Sequence, residues 1–226
     1  MLTRVPQFEF NVAQKGDAFD LLQSVPDGSA AAVVFDPQYR SNLDALKFGN
    51  EGVSRQRKRC ALPQMTDDYI DQCCREAARV LRPSAYLLIW ADTFRLCTAY
   101  HLRVRDVLPC VDLISWNSEK RGQGCRARRY GGYLVILQKK PKRARATWSD
   151  RSIPDRWSEK VDRRVHVHVK PRELLTRLIA AVTKPGDLVV DPAAGSFLVL
   201  EIAQQLGRRF IGVDIAWTCE PEVKRR

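Results

Sequence analysis

A chain of 226 residues with 45% hydrophobic content can form one α/β domain with insertions, or one large domain and a small lobe. Thirty-eight Lys and Arg against 26 Asp and Glu leave a net charge of +12, which points to a polyanion, most often nucleic acid, unless the charge is only a solvated cationic surface. Seven cysteines with no C-x-x-C pair, three histidines without ligand spacing and no apolar run of membrane-span length argue against a disulfide framework, a bound metal, a signal peptide or a membrane span; the expectation is a reduced, cytoplasmic chain.

Residues 1–15 read as a loose lead-in. Gly16-Asp17-Ala18 follows, and Phe19, Leu21, Leu22 and Val25 have the spacing of a short helix. Pro26 to Ser29 is a turn. Ala30 to Phe35 is a continuous apolar run, the pattern of a buried parallel strand, and it ends at Asp36-Pro37-Gln38-Tyr39. Residues 40–64 show little periodicity and carry Arg55, Arg57, Lys58 and Arg59; an unpatterned segment of this length is a functional loop or a disordered one. Thr66 or Asp67 is the N-cap of a helix whose core face is Ile70, Cys73, Cys74, Ala77, Ala78 and Leu81, ended by Arg82-Pro83-Ser84. Ala85 to Trp90 is a buried strand, Thr93 to Leu102 a helix and Val111 to Trp116 a strand.

Ser118 to Arg145 is the most basic stretch, with ten Lys or Arg and one Glu. Lys120, Arg121, Arg126, Arg128 and Arg129 precede a strand at Tyr133 to Gln138, so they sit in a hairpin or loop between strands. Residues 146–165 are polar and unpatterned, with Trp148 and Trp157 as anchors. Lys170-Pro171-Arg172-Glu173 opens a helix with Leu174, Leu175, Leu178, Ile179 and Val182 on its core face. Pro185-Gly186-Asp187 then turns the chain into a strand–turn–helix–strand unit. Leu188 to Val190 is the first strand and Asp191-Pro192-Ala193-Ala194-Gly195-Ser196 the turn. Leu198 to Leu206 is the helix, stopped by Gly207, and Phe210 to Val213 the second strand, closed by Asp214. Gly195 lets backbone approach a ligand, and Asp214, 19 residues later, can accept both hydroxyls of a ribose. With a single glycine the turn lacks the G-x-G-x-x-G of a dinucleotide site. Taken alone the unit is also an ordinary α/β crossover, and Asp36-Pro37 alone is also a strand-ending turn.

Four segments, in order, resemble the amino-directed DNA methyltransferases that use S-adenosylmethionine, in the β-class permutation where the catalytic motif precedes the cofactor motif. Gly16-Asp17 through Tyr39 is similar to the family's opening unit ending in D-P-P-Y. His166 with Lys170-Pro171-Arg172-Glu173-Leu174-Leu175 is similar to H-P-T-Q-K-P-x-E-L-L. Asp191 through Ser196 is similar to D-P-F-A-G-S-G, and Gly207 through Asp214 to G-R-R-F-I-G-I-E. The likeness covers roughly residues 15–215. The chain departs from it at Gln38, which replaces the second proline, at Phe197, which replaces the second glycine of G-S-G, and at His166-Val167-His168-Val169, where H-P-T-Q is incomplete.

The resemblance implies an α/β Rossmann-like methyltransferase sheet with helices on both faces and an inserted basic recognition region. It implies one domain over residues 1–226, an active-site and DNA-contact loop at 40–64 and a target-recognition insertion at 118–165. S-adenosylmethionine is then the cofactor, double-stranded DNA the partner and monomer or homodimer the state. The expected activity is site-specific methylation of DNA, as in restriction–modification. The catalytic candidates are Asp36, Pro37 and Tyr39. An exocyclic amine is a poor nucleophile because its lone pair is delocalised into the ring. Acceptors at the Asp36 carboxylate and the Pro37 carbonyl would localise that pair, and Tyr39 would stack on the flipped base. The cofactor candidates are Asp17, Ala18, Asp36, Lys170, Pro171, Asp191, Ala193, Ala194, Gly195, Ser196 and Asp214, with Asp17 and Ala18 at the adenine edge. Lys170 is either part of a pocket wall or a solvated helix-start charge. Arg55, Arg57, Lys58, Arg59, Lys120, Arg121, Arg126, Arg128 and Arg129 are the DNA candidates, tracking phosphates and reading base edges. In the family an aspartate before the proline usually accompanies adenine, so the expected product is N6-methyladenine. N4-methylation of cytosine, methylation of RNA, and a catalytically silent nucleic-acid-binding protein are the alternatives.

Overall fold

The computed structural model describes residues 8–38, 65–119, 127–128, 130–161 and 169–217. Uninterrupted apolar runs bounded by turn residues give its central strands. β1 (Ala30–Phe35) is buried along its whole length, as is β6 (Leu188–Asp191). With β2 (Leu81–Ala91), β3 (Cys110–Asn117), β4 (Gly131–Gln138), β5 (Arg156–Ser158) and β7 (Arg209–Gly212) they make one seven-stranded sheet ordered β5-β3-β4-β2-β1-β6-β7. The pairings make β4 alone antiparallel to the other six.

A strand shows alternate residues to opposite faces, and both faces of this sheet are covered. On one side Val33 and Phe35, Leu87 and Ile89, and Val135 and Leu137 pack with α1 (Ala18–Ser24) and α2 (Asp67–Val80). On the other, Ala32 and Val34, Leu88 and Trp90, and Leu134 and Ile136 pack with α5 (Arg172–Val182) and α6 (Leu198–Gln205). Two short helical pieces, α3 (Thr93–Cys97) and α4 (Ala144–Thr147), and a 3-10 turn at Tyr100–Val104 complete the elements of the described residues. The expected α/β sheet with helices on both faces is present. Among the described residues no helix is long and apolar enough to cross a membrane.

The topology places a crevice. β1 and β6 are neighbours. From β1 the chain crosses to β2 on one side, and from β6 to β7 on the other. Connections that part in opposite directions from adjacent parallel strands leave a gap outside the strands' carboxyl ends, where α/β sheets bind their ligands.

Several boundaries differ from the sequence-based expectation. Leu81 does not extend α2: the helix stops at Val80, and β2 begins at once instead of at Ala85. Pro83 has no N–H for a helix or a ladder bond. The extra residues are absorbed in an irregularity where Ala30 pairs with Leu81 and Ala32 with Tyr86, and Ser84 takes a positive φ of 67°. A two-pronged ion pair from Arg82 to Asp187 (2.8 Å on each arm) fixes that irregularity to the turn before β6. The helix expected over Thr93–Leu102 is split, because Ala99 is left-handed (φ 51°) between α3 and the 3-10 turn. Within the polar stretch, α4 runs into its first residues and β5 forms near Trp157, which is buried, while Trp148 stands edge-on to Tyr86 (5.6 Å). Both tryptophans are anchors, as expected.

Pro171 at the N-cap of α5 has no side-chain acceptor for the first amides. Glu159, just after β5, supplies one: its carboxylate accepts from the Glu173 and Leu174 amides (3.0 and 3.1 Å) and from Trp157 Nε1 (2.8 Å). A carboxylate there also suits the positive end of the helix dipole. The inserted segment is thereby tied to the helix that follows Lys170.

Candidate active site

A cleft of about 260 Å³ opens at the carboxyl edge of β1 and β6. Most of its polar wall stands at the end of a strand or just before a helix. Asp36 and Gln38 follow β1, Asp191 ends β6 with Pro192 to Ser196 after it, and Asp214 follows β7; Asp17 and Ala18 open α1, and Lys170 precedes α5. Every cofactor candidate lines this cleft except Pro171, which is buried outside it. Of the catalytic candidates, Asp36 lines the cleft, Pro37 is buried behind it, and Tyr39 lies outside the described residues. Val34, Met65, Tyr69, Trp90, Leu175, Leu198, Val199 and Ile215 add wall that the sequence reading did not assign.

The two readings of Lys170 are decided by geometry. Its Nζ is 2.6 Å from Asp36 Oδ2 and 5.2 Å from the centroid of the Trp90 ring. A cation between a carboxylate and an indole face is held, not solvated. This bond uses one oxygen of Asp36 and leaves Oδ1 for another donor.

Asp191 is 4% exposed. Burial pushes its carboxyl well above the usual carboxylate range, and the Asp36 and Asp214 carboxylates push the same way. The Ala193 amide at 3.2 Å and Lys170 act in the opposite sense. Among the described residues, Asp17, Asp36, Asp191 and Asp214 thus share one cleft with one cation, Lys170. Such a wall suits a ligand that brings positive charge.

Asp214 organises the turn after β6. Its Oδ2 accepts from the Gly195 amide (3.0 Å) and its Oδ1 from the Ala216 amide (2.9 Å). Gly195 has a φ of 52°, which a glycine adopts freely. The lead-in pairs with the same place: Lys15 bridges to Asp214, and the Gly16 amide reaches the Asp214 carbonyl at 3.3 Å. A Cβ on Gly16 would come within 2.6 Å of the Phe8 ring and 2.8 Å of Val213, so a larger residue there would force those side chains to shift.

Phe197 explains the glycine that the motif expects there. It too is left-handed, with φ 57°. A side chain in that conformation costs roughly 1–2 kcal/mol. Here the ring is 3% exposed and packs edge-on to Trp217 (4.7 Å) and Phe210 (6.4 Å). Losing a buried phenylalanine costs about 3–5 kcal/mol, so packing outweighs strain. Phe197→Gly should lower the melting temperature by about 4–8 °C, read by thermal unfolding; a rise would show that strain is the larger effect.

Of the DNA candidates, Arg128 is exposed in the connection between β3 and β4. Arg55, Arg57, Lys58, Arg59, Lys120, Arg121, Arg126 and Arg129 lie outside the described residues, as do His166 and His168. Among the described residues no three His, Cys, Asp or Glu side chains could together hold a metal ion.

Residues 114–225 match the N6/N4 family model described as DNA methylase. The chain is 44% identical over 207 residues to the Type II methyltransferase M.HhaII of Haemophilus parahaemolyticus, covering 91% of each protein. A 50-residue segment is 50% identical to the DNA adenine methyltransferase YhdJ of Escherichia coli K12, covering 22% of this chain and 17% of that one. The fold is similar to TTHA0409 of Thermus thermophilus, solved in complex with S-adenosyl-L-methionine. That likeness has a TM-score of 0.62 and 22% identity, and covers 90% of this chain and 89% of the other.

Proposed function

The chain belongs to the amino-directed N6/N4 DNA methyltransferases, and we propose that it methylates adenine N6 in a specific sequence of double-stranded DNA, using the cleft beyond β1 and β6. It is an S-adenosylmethionine-dependent enzyme. The observation that carries the site reading is the convergence of Asp36 with Asp191 and Asp214 on one cleft at the point where the sheet's connections part.

The cofactor supplies a methyl group made electrophilic by a sulfonium. Its charge suits the residues present: a sulfonium and an ammonium against one carboxylate give a net positive ligand for an acid-rich wall. Asp191 and the Ala193–Ser196 backbone are suited to its methionine end. Asp214 is suited to the ribose, since each of its oxygens makes one backbone bond and keeps acceptor capacity. Asp17 and Ala18 would meet the adenine edge, with Lys170 and Pro171 behind the methyl-transfer point.

At the reacting end, Asp36 Oδ1 would accept a hydrogen of the target amine while Oδ2 stays with Lys170. The acceptor localises the nitrogen lone pair and aims it at the methyl carbon. A base reaches this cleft only after leaving the duplex. Tyr39 would then stack on it, and residues 40–64 and 118–165 would carry the cationic contacts to the DNA backbone. The aspartate at position 36 and the segment similar to an adenine methyltransferase both favour adenine. Incubation of the protein with duplex DNA and S-adenosylmethionine, followed by nucleoside mass spectrometry, should give N6-methyladenine. N4-methylcytosine alone would overturn the base and keep the site; no methylated nucleoside in duplex DNA, with product in RNA, would overturn the substrate.

A further inference from the structure

Tyr69, on α2, was singled out by no motif, yet it lines the cleft and reaches across to the segment that opens α1. Its hydroxyl is 2.7 Å from Asp17 Oδ1 and 2.8 Å from Asp17 Oδ2. The Phe19 amide donates to the same hydroxyl at 3.2 Å. A phenol has one hydrogen, and a carboxylate can only accept it, so the direction is fixed: Phe19 donates to Tyr69 and Tyr69 donates to Asp17. Burial, and then the bond to Asp17, push the ionisation of this phenol far above its ordinary value, so it stays a donor at any working pH.

Asp17 is itself the N-cap of α1. Its Oδ1 accepts from the Phe19 and Asp20 amides at 2.8 and 3.3 Å. Oδ1 is occupied by these two amides, and the single Tyr69 hydrogen is shared between Oδ1 and Oδ2. Oδ2 has only its share of that hydrogen and keeps a lone pair, in a residue that lines the cleft. The tyrosine therefore holds the carboxylate in one rotation, with a pure acceptor presented to whatever lies against Asp17.

We propose that Tyr69 is a positioning residue that, by locking the Asp17 carboxylate, makes the cleft select a 6-amino purine over a 6-oxo purine on the cofactor. The inference rests on the reading that Asp17 and Ala18 meet the purine edge. A 6-amino group gives a hydrogen to the fixed carboxylate. A 6-oxo group brings a second acceptor against it, and a buried unmatched polar pair is rejected. Without the tyrosine hydroxyl the cap bonds of Oδ1 remain, but the carboxylate can turn and the discrimination weakens.

The test compares S-adenosyl-L-homocysteine with S-inosyl-L-homocysteine by calorimetry, on the wild-type chain, Tyr69→Phe and Asp17→Asn, with thermal unfolding run alongside. Tyr69→Phe keeps the ring and so keeps the wall. It should weaken the adenosyl ligand about tenfold, the effect of one charge-assisted hydrogen bond, and leave the inosyl ligand within about twofold. Asp17→Asn still caps α1, but its amide can donate to a 6-oxo group, so its adenosyl-to-inosyl ratio should fall as well. Equal losses for both ligands in Tyr69→Phe would mean a structural role only and would overturn the proposal. If the ratio falls in Asp17→Asn and holds in Tyr69→Phe, the proposal fails and the purine-edge reading stands. If neither variant moves the ratio, the purine-edge reading fails with it.

Discussion

Asp36→Ala should remove methyl transfer while leaving cofactor binding within a few-fold of wild type. The carboxylate sits just past β1, where Pro37 is buried and fixes the backbone behind it. Its bond to Lys170 holds the side chain in place before any base arrives. An acceptor aimed at the amine acts most strongly as the lone pair is drawn toward the methyl carbon, so its loss falls on kcat more than on KM. Removal of one preorganised hydrogen-bonding group of this kind costs about 10²–10³ in kcat. Asp36→Ala also leaves Lys170 without its ion-pair partner, beside Asp191 and the Trp90 ring. Asp36→Asn separates these effects: its carbonyl still accepts from the amine, but the charge that holds Lys170 is gone. The expected order of activity is wild type, then Asn, then Ala. Full activity in Asp36→Ala, measured as methyl transfer to duplex DNA, would discard the amine-acceptor mechanism.

Asp36, Asp191 and Asp214 were legible in the sequence because each stands at or just past the end of a buried strand, whereas Asp17 came only from the resemblance. Asp36 ends the run Ala30–Phe35, Asp191 ends Leu188–Val190, and Asp214 closes Phe210–Val213. Strands that are apolar throughout have few alternatives in a chain of this size, and their carboxyl ends are where a parallel sheet exposes polar residues. Residues joined by long-range register were not legible. Tyr69 meets Asp17 across 52 residues, and nothing in the periodicity of α2 marks one half-exposed tyrosine among its polar positions. Trp90 was placed on a strand, but which face it shows depends on the irregularity at Leu81–Tyr86, and a one-residue slip would reverse it. Glu159 lies in a stretch without pattern, and its capping of α5 appears only once β5 has formed. Phe197 is the opposite case. The sequence showed a departure from the glycine motif, and only the packing against Trp217 and Phe210 shows why a left-handed aromatic is tolerated.

Asp214→Ala should reduce cofactor affinity by about a hundredfold or more. Two bonds from ribose hydroxyls to a charged acceptor are each worth about 1.5–3 kcal/mol, and both vanish with the carboxylate. A second loss follows from the geometry of the turn. Oδ2 holds the Gly195 amide and Oδ1 the Ala216 amide, so the side chain also shapes the turn that would lie against the methionine end. The positive φ of Gly195 gives that turn no steric restraint of its own. Without Asp214 the turn keeps the Ala194 amide on the Val213 carbonyl (2.9 Å) and the Phe197 amide on the Ala194 carbonyl (2.8 Å), but the glycine between them loses its bond to the carboxylate. Asp214→Asn can retain one amide bond to the turn while giving up the charge. Its affinity should therefore fall between those of wild type and Asp214→Ala. Calorimetry with S-adenosylmethionine measures all three, and thermal unfolding of the proteins without cofactor reports the turn separately. An Asp214→Ala protein that unfolds at a lower temperature but binds the cofactor as tightly as wild type would leave Asp214 as a turn-shaping residue and place the ribose elsewhere.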